Sequence, residues 1–268
     1  MCRVFEVSRS GYYAYVKRTP SKRKQEDAKV KEVLKPTFIE HHKTYGPQRM
    51  SEILHRVGIR IGRTRVRRLM AECNLVPVTR KCFVKTTDSS HGNKAYPDLV
   101  KRDFTAEKPN SVWTSDITYI WTCEGFVYLA IILDVYSRLV VGWALRKQQD
   151  EALILGAFSM AIAKREIPKN FIFHSDKGGQ YFSKILKAQL NILDVQQSMG
   201  STGDCFDNAV TESFNATLKK ECIYLHAIRD YNHAHELIFE YIETFYNCKR
   251  IHSYLEYKSP MEFESQKN

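Results

Sequence analysis

Glu212 and Lys219 stand seven residues apart in the stretch Asn208-Ala209-Val210-Thr211-Glu212-Ser213-Phe214-Asn215-Ala216-Thr217-Leu218-Lys219. On a helix that spacing is two turns, so both side chains leave from nearly the same face. A ligand for a cation then sits beside a base suited to a phosphate. Asn208, or Asp207 before it, is a suitable N-cap, and a carboxylate in the first turn suits the helix dipole. A capped, charge-studded surface helix has the same pattern, so the stretch needs partners elsewhere. Two are at hand: Asp116 lies inside a run of β-branched and aromatic residues, and Asp176 closes a short apolar run with 35 residues between it and Glu212. Carboxylates are the natural ligands of Mg²⁺, which keeps several waters and needs only two or three protein acids besides substrate oxygens. Two such cations move a phosphoryl group between oxygen nucleophiles without a covalent enzyme intermediate. Asp134, Asp204 and Asp207 compete for the role; Asp134 reads as turn structure and Asp207 as a cap. The chain has 30 acids, so spacing alone selects no triple.

The elements that must carry these acids follow from periodicity. Three strands are expected over 112–120, 126–134 and 138–145, antiparallel because Glu124-Gly125 and Tyr136-Ser137 make their connections short. A helix over 151–164 and a strand over 171–176 complete a βββαβ order. A helix over 183–193, a strand over 195–199, the helix bearing Glu212 and a long helix over 231–247 follow. Leu237, Ile238, Tyr241, Ile242 and Phe245 mark the packing side of the last one.

The front of the chain has another character. Residues 1–100 hold 22 lysines and arginines against 9 acids, leaving 19 against 21 for the remainder of a chain whose net charge is +11. A basic front on a near-neutral body suggests a polyanion-gripping module. A lysine-rich helical segment over 21–42 is interrupted by Pro36. Met50, Ile53, Leu54 and Val57, then Val66, Leu69, Met70 and Cys73, recur at i, i+3, i+4 and i+7, giving two amphipathic helices joined by a short turn. The second carries Arg63, Arg65, Arg67 and Arg68, placed to meet phosphates as the second helix of a helix-turn-helix does. A helical hairpin with a solvated basic face is the alternative. Residues 77–110 lack periodicity and read as a linker, whose Lys81, Lys85 and Lys94 also suit nucleic acid. The 7 cysteines are odd in number and scattered. His41-His42 and His233-Ala234-His235 are surface pairs with no zinc spacing around them. No run is long enough to cross a bilayer, and a soluble, cytoplasmic, nucleoid-associated protein is expected.

Trp113-Thr114-Ser115-Asp116-Ile117-Thr118-Tyr119, Leu133-Asp134-Val135-Tyr136-Ser137-Arg138, Val141-Gly142-Trp143, His174-Ser175-Asp176-Lys177-Gly178-Gly179-Gln180-Tyr181, and Asp207-Asn208-Ala209 with Glu212-Ser213-Phe214 and Leu218-Lys219 closely resemble the core of bacterial insertion-sequence transposases related to retroviral integrases. Tyr246-Asn247, Arg250-Ile251-His252-Ser253 and Tyr257-Lys258-Ser259-Pro260 resemble the family's C-terminal signature. Ser8 to Tyr15 and Tyr45-Gly46-Pro47-Gln48-Arg49 resemble its front, so the likeness spans nearly the whole chain. It implies an α/β, ribonuclease H-like catalytic core, a mixed sheet with three antiparallel strands flanked by helices, behind a small all-α, helix-turn-helix-like domain. It also implies a DDE site in which Asp116, Asp176 and Glu212 are catalytic and hold Mg²⁺ (Mn²⁺ as a substitute), two ions once DNA is bound. Lys219 then contacts DNA near the transposon end, with Asn208 beside it. The chain departs from the family pattern at Glu256, where a glycine usually follows the leucine, and at Cys248.

The expected division is a basic DNA-binding region over 1–76, a linker over 77–110, the catalytic core over 111–225, and a C-terminal helix and tail over 226–268. The expected activity is metal-dependent cleavage at transposon ends followed by strand transfer. The expected partners are double-stranded DNA, both transposon ends and target, and further copies of the chain assembled on it. The family's enzymes commonly arise by frameshifting, and the resemblance is to the second-frame product, so a first-frame helix-turn-helix protein is a further expected partner. A catalytically inactive DNA-binding regulator and a simple metal-dependent nuclease are the competing readings.

Overall fold

The computed structural model describes residues 2, 4–78, 96–200 and 208–266. The chain divides into two compact units, Met1–Pro77 and Val78–Asn268. Expectations for Lys81, Lys85, Lys94, Asp204 and Asp207 lie outside the described residues.

The first unit is helical: α1 (Arg9–Val16), α2 (Lys22–Glu40), α3 (Pro47–Arg56) and α4 (Arg63–Glu72). α2 continues through Pro36, contrary to the interruption expected there. Proline removes one backbone donor and crowds the preceding turn. Burial of Val30, Leu34 and Phe38 holds the helix against that loss, and the Thr37 hydroxyl donates to the Val33 carbonyl at 2.8 Å. The turn between α3 and α4 is fixed by Ser51, whose hydroxyl donates to the Ile61 carbonyl at 2.7 Å, and by Met50, Leu54, Val66 and Leu69, all fully buried. His41 is not at the surface as expected but buried, its ring 4.6 Å from that of Tyr45.

The second unit is built on a five-stranded sheet of order β3-β2-β1-β4-β5. β1 (Val112–Thr122) and β2 (Gly125–Asp134) form a long antiparallel hairpin, β3 (Val140–Arg146) continues the meander, and β4 (Ile172–Ser175) and β5 (Gln196–Met199) lie parallel to β1. Antiparallel neighbours need only the short turns seen in the sequence, whereas the parallel pair needs the crossover through α5 (Glu151–Lys164). Leu153, Ile154, Ala157, Phe158 and Ala161 of α5 pack on Trp113, Ala130, Ile132 and Val141. α6 (Lys184–Ile192) adds Leu186 and Leu190 to that core. The sheet takes the small residue it needs at Gly142, where an added Cβ would lie 2.2 Å from the Ala157 carbonyl oxygen.

On this frame are laid α7 (Ala209–Glu221), α8 (Tyr231–Phe239) and, after a connecting turn, α9 (Pro260–Ser265). The single long helix expected over 231–247 is instead α8 followed by a π-helical stretch, Glu240–Tyr246. The wider π turn lets adjacent residues share the packing side: Tyr241 with Ile242, and Phe245 with Tyr246, are buried in pairs. Asn247 ends the stretch by accepting from the Val140 amide and donating to the Val140 carbonyl, each at 3.0 Å. Arg250, buried, donates to both carboxylate oxygens of Glu221 at 2.8 and 2.7 Å and so ties the end of α7 to this segment. Glu256 occupies the left-handed region (φ 53°, ψ 36°), which accounts for the family's glycine there.

Two substitutions test this packing. Gly142→Ala drives a methyl into the α5 backbone and should destabilise the protein by about 1–3 kcal/mol, read as a lower urea midpoint with unchanged slope. Glu256→Gly relieves a left-handed side chain and should stabilise by about 0.5–1 kcal/mol, since the steric relief exceeds glycine's entropy cost. An unchanged or lower midpoint would show that Glu256 carries no strain.

Candidate active site

The parallel β1–β4 register pairs Ser115 with Ser175 as its last couple. The next residues are Asp116 and Asp176, so the two acids leave neighbouring strands, about 4.8 Å apart in the sheet, where β4 ends. Ligand sites of α/β sheets form at such carboxyl ends. The Asp116 carboxylate is oriented from both sides: Oδ1 accepts from the Ile117 amide at 2.8 Å, and Oδ2 accepts from Asn215 Nδ2 at 2.8 Å. Asp176 accepts from the Gly178 amide at 3.0 Å.

α7 brings the third acid. Its N-cap is Asn208, as the sequence suggested, but the Asn208 side chain does not cap the helix. It is buried, donates to the Ser115 carbonyl at 2.9 Å, and accepts from the Thr211 hydroxyl. Asn208 is thus a brace between α7 and the backbone next to Asp116. Glu212 lies exposed on the first turn, Asn215 one turn on against Asp116, and Lys219 two turns on with its Nζ 4.5 Å from the centre of the Tyr119 ring.

The electrostatics are those of unpaired acids held together. Burial, then the charge of Asp176, push Asp116 up to about 7 from an ordinary 3.8. Burial raises Asp176, and burial and then Asp176 raise Glu212. None of the three has an ion-pair partner among the described residues. Burial lowers Lys219, partly offset by the charge of Asp116. Tyr181 is buried with its hydroxyl 2.9 Å from Ser115 Oγ, and burial and the two aspartates push it well above its usual range. Hard oxygen donors without a counter-charge fit a divalent cation, and the buried Asn215 Oδ1, which has no hydrogen-bond partner, adds a further free oxygen beside them. Among the described residues no three His, Cys, Asp or Glu side chains are gathered closely enough to hold a metal ion, so the three acids do not form a closed cage.

Asn215, Tyr181 and Tyr119 escaped the sequence reading. Asn215 was accessible by spacing, one turn after Glu212 on the same face. Asp134, read as turn structure, is fully buried and accepts from the Asn110 and Tyr136 amides at 2.7 and 2.8 Å.

The four arginines of α4 separate into two pairs. Arg65 and Arg68 face α2, where Arg65 Nε meets Asp27 Oδ1 at 2.8 Å and Arg68 Nη2 meets Asp27 Oδ2 at 2.6 Å, with Glu26 and Glu72 as second partners. Arg65 is half-buried and Arg68 exposed, and both supply the counter-charge that the buried Asp27 carboxylate requires. Arg63 and Arg67 are exposed and have no ion-pair partner among the described residues.

A family model described as an integrase core domain matches residues 106–205, a second of the same description matches 193–260, and an HTH-like domain matches 24–83. The chain is 40% identical over 98% of its length to the insertion element IS600 uncharacterized 31 kDa protein of Shigella sonnei, covering 97% of that protein. It is 38% identical over 92% of its length to the transposase for insertion sequence element IS904 of Lactococcus lactis subsp. lactis (strain IL1403), covering 98% of it. In fold it is similar to a chain of the simian T-cell lymphotropic virus intasome in complex with PP2A regulatory subunit B56 gamma, with a TM-score of 0.51 at 14% identity, over 82% of this chain and 74% of that one.

The raised acids predict a pH dependence. Between about pH 4 and pH 7 folded Asp116 binds a proton that the unfolded chain has lost, so stability without divalent cation falls as pH rises through this window. At about 1.4 kcal/mol per unit the loss is up to roughly 4 kcal/mol. Asp116→Asn should remove the larger part and be more stable than wild type at pH 8. A shallower slope from Asp134, raised to about 6, and from Asp176 and Glu212, which burial also raises, should remain. Denaturant titrations in chelator at pH 5 and pH 8 measure both; parallel curves for the two proteins would contradict the assignment.

Proposed function

Because the chain belongs to the insertion-sequence transposases with an integrase core, polynucleotidyl transferases of the DDE type, we propose that it cuts DNA at the ends of its element and joins them to a target at one acid centre. The observation that carries this reading is the adjacency of Asp116, within β1, and Asp176, the residue that follows the neighbouring β4, with Glu212 on the helix braced against them. Asp116, Asp176 and Glu212 would hold Mg²⁺, in keeping with an uncompensated set of oxygen donors. Two such ions, when bound, supply activation of the attacking oxygen and stabilisation of the leaving one.

The chain's own residues fix the geometry of that reaction. Asn215 and the Ile117 amide hold the Asp116 carboxylate in one orientation, and the Gly178 amide does the same for Asp176. Lys219 steadies a phosphate of the end being cut. Water first hydrolyses a phosphodiester to free a 3′ hydroxyl, and that hydroxyl then attacks a second phosphodiester, releasing its own 3′ leaving oxygen. Both transfers have the same charge demand, so one constellation serves both.

The basic helical region over 1–76 grips DNA, with Arg63 and Arg67 rather than Arg65 and Arg68 as its α4 contacts. Residues 77–110 connect it to the core over 111–225, and 226–268 brace the core. Copies of the chain assemble on DNA, which places its action in the cytoplasm at the nucleoid. No described helix is long and apolar enough to cross a membrane.

Asp116→Asn, Asp176→Asn and Glu212→Gln should each abolish Mg²⁺-dependent cleavage and joining of labelled element ends while mobility-shift binding persists. Cleavage retained by any one of them would remove that acid from the centre. Cleavage without joined products in the wild type would favour a nuclease instead. Lys219→Ala should weaken end binding and lower the slope of log affinity against log salt by about one.

A further inference from the structure

β4 covers β1 only from Val112 to Ser115, whereas β1 runs on to Thr122 in its hairpin with β2. Beyond Ser115 the outer half of β1 is flanked not by a strand but by α7, from which Lys219 reaches Tyr119, and at its end the Cys123 amide donates to the Ile228 carbonyl at 2.9 Å. Three rings meet at the hairpin end: Phe126 lies edge-on to Tyr119 at 5.4 Å and to Trp121 at 4.8 Å. Trp121 and Phe126 are direct cross-strand partners, yet 63% and 48% of their surfaces are exposed. The other two tryptophans of the chain, Trp113 and Trp143, are buried. Isolated exposed apolar residues are ordinary, but a contiguous set of rings with a cation over one of them is not.

We propose that the end of the β1–β2 hairpin is a stacking platform for unpaired DNA bases flanking the phosphodiester at the acids, a proposal that rests on the reading of the acids as a strand-transfer centre. Aromatic faces bind bases without regard to sequence, and a neighbouring cation holds the backbone that links them. A paired duplex offers edges and phosphates, whereas a base must leave its stack to lie on a ring. Asp116 and Trp121 lie on one strand, five residues or about 17 Å apart, with their side chains on opposite faces of the sheet, so the link between the rings and the acids runs through α7. Lys219, over Tyr119, shares α7 with Glu212. A second copy of the chain is the other occupant to consider, but a twofold contact through this patch would bring Lys219 of each copy toward the other.

Trp121 is the one exposed tryptophan, so its emission reports the platform. Titrating the full chain with a single-stranded oligonucleotide of about eight nucleotides should quench a solvent-exposed emission component, and a duplex of equal length should quench it much less. Trp121→Phe should remove that quench. Trp121→Ala and Phe126→Ala should each lower single-strand affinity, measured by anisotropy, about tenfold, with little change for duplex. Single-strand binding without quench, or with affinity unchanged in Trp121→Ala, would overturn the platform. So would a dilution-sensitive dimer without DNA whose emission shift vanishes in Trp121→Ala. Should an alanine variant misfold, the Trp121→Phe quench decides alone. Wild-type joining without quench would sink the platform and leave the strand-transfer reading intact; quench without cleavage or joining would do the reverse.

Discussion

Two carboxylates that repel one another are held side by side by a sheet. Parallel pairing of β1 with β4 ends at Ser115 and Ser175 and so sets Asp116, inside β1, next to Asp176, the residue that follows β4. Burial raises both acids above their ordinary range, and the charge of Asp176 raises Asp116 further. The fold bears this cost through surroundings that over-determine the positions: fully buried Trp113 and Phe173 beneath the strands, and α5 pressed so close that Gly142 has no room for a Cβ.

The third acid depends on a chain of side-chain ties. Asn208 anchors the start of α7 to the Ser115 carbonyl, Asn215 touches Asp116 one turn past Glu212, and Arg250 holds Glu221 at the far end. The Arg250–Glu221 pair is buried, so removing either partner would strand a charge. Through it the C-terminal segment, remote in sequence, helps aim the helix that carries Glu212 and Lys219. The family's C-terminal signature, Tyr246-Asn247 and Arg250 included, is thus part of the support of the site.

The strands of the meander and α5 were legible because period-2 and period-3.6 patterns are local properties. The acids were legible because each stands at a recognisable place on its element, in motifs that resemble a known family. What was not legible depends on partners distant in sequence. Pro36 looked like a break because its tertiary support, Val30, Leu34 and Phe38 packed inward, is invisible to propensity. The roles of Arg65 and Arg68 turned on Asp27, some forty residues away. Asn208 looked like a cap until β1 offered its side chain another acceptor. The π-helical end of the last long helix answers to the burial of adjacent aromatic residues, which an i, i+4 template cannot express.

The sheet has two outer strands, β3 and β5, and the chain closes part of each with its own flanks. Asn247 occupies both backbone groups of Val140, while on β5 the Met199 amide donates to the Pro97 carbonyl and Ser198 Oγ accepts from the Leu99 amide. Open edges invite strand addition from other chains, which leads to aggregation or uncontrolled polymerisation. With these positions taken, growth of the sheet from one copy into the next is blocked where it would begin.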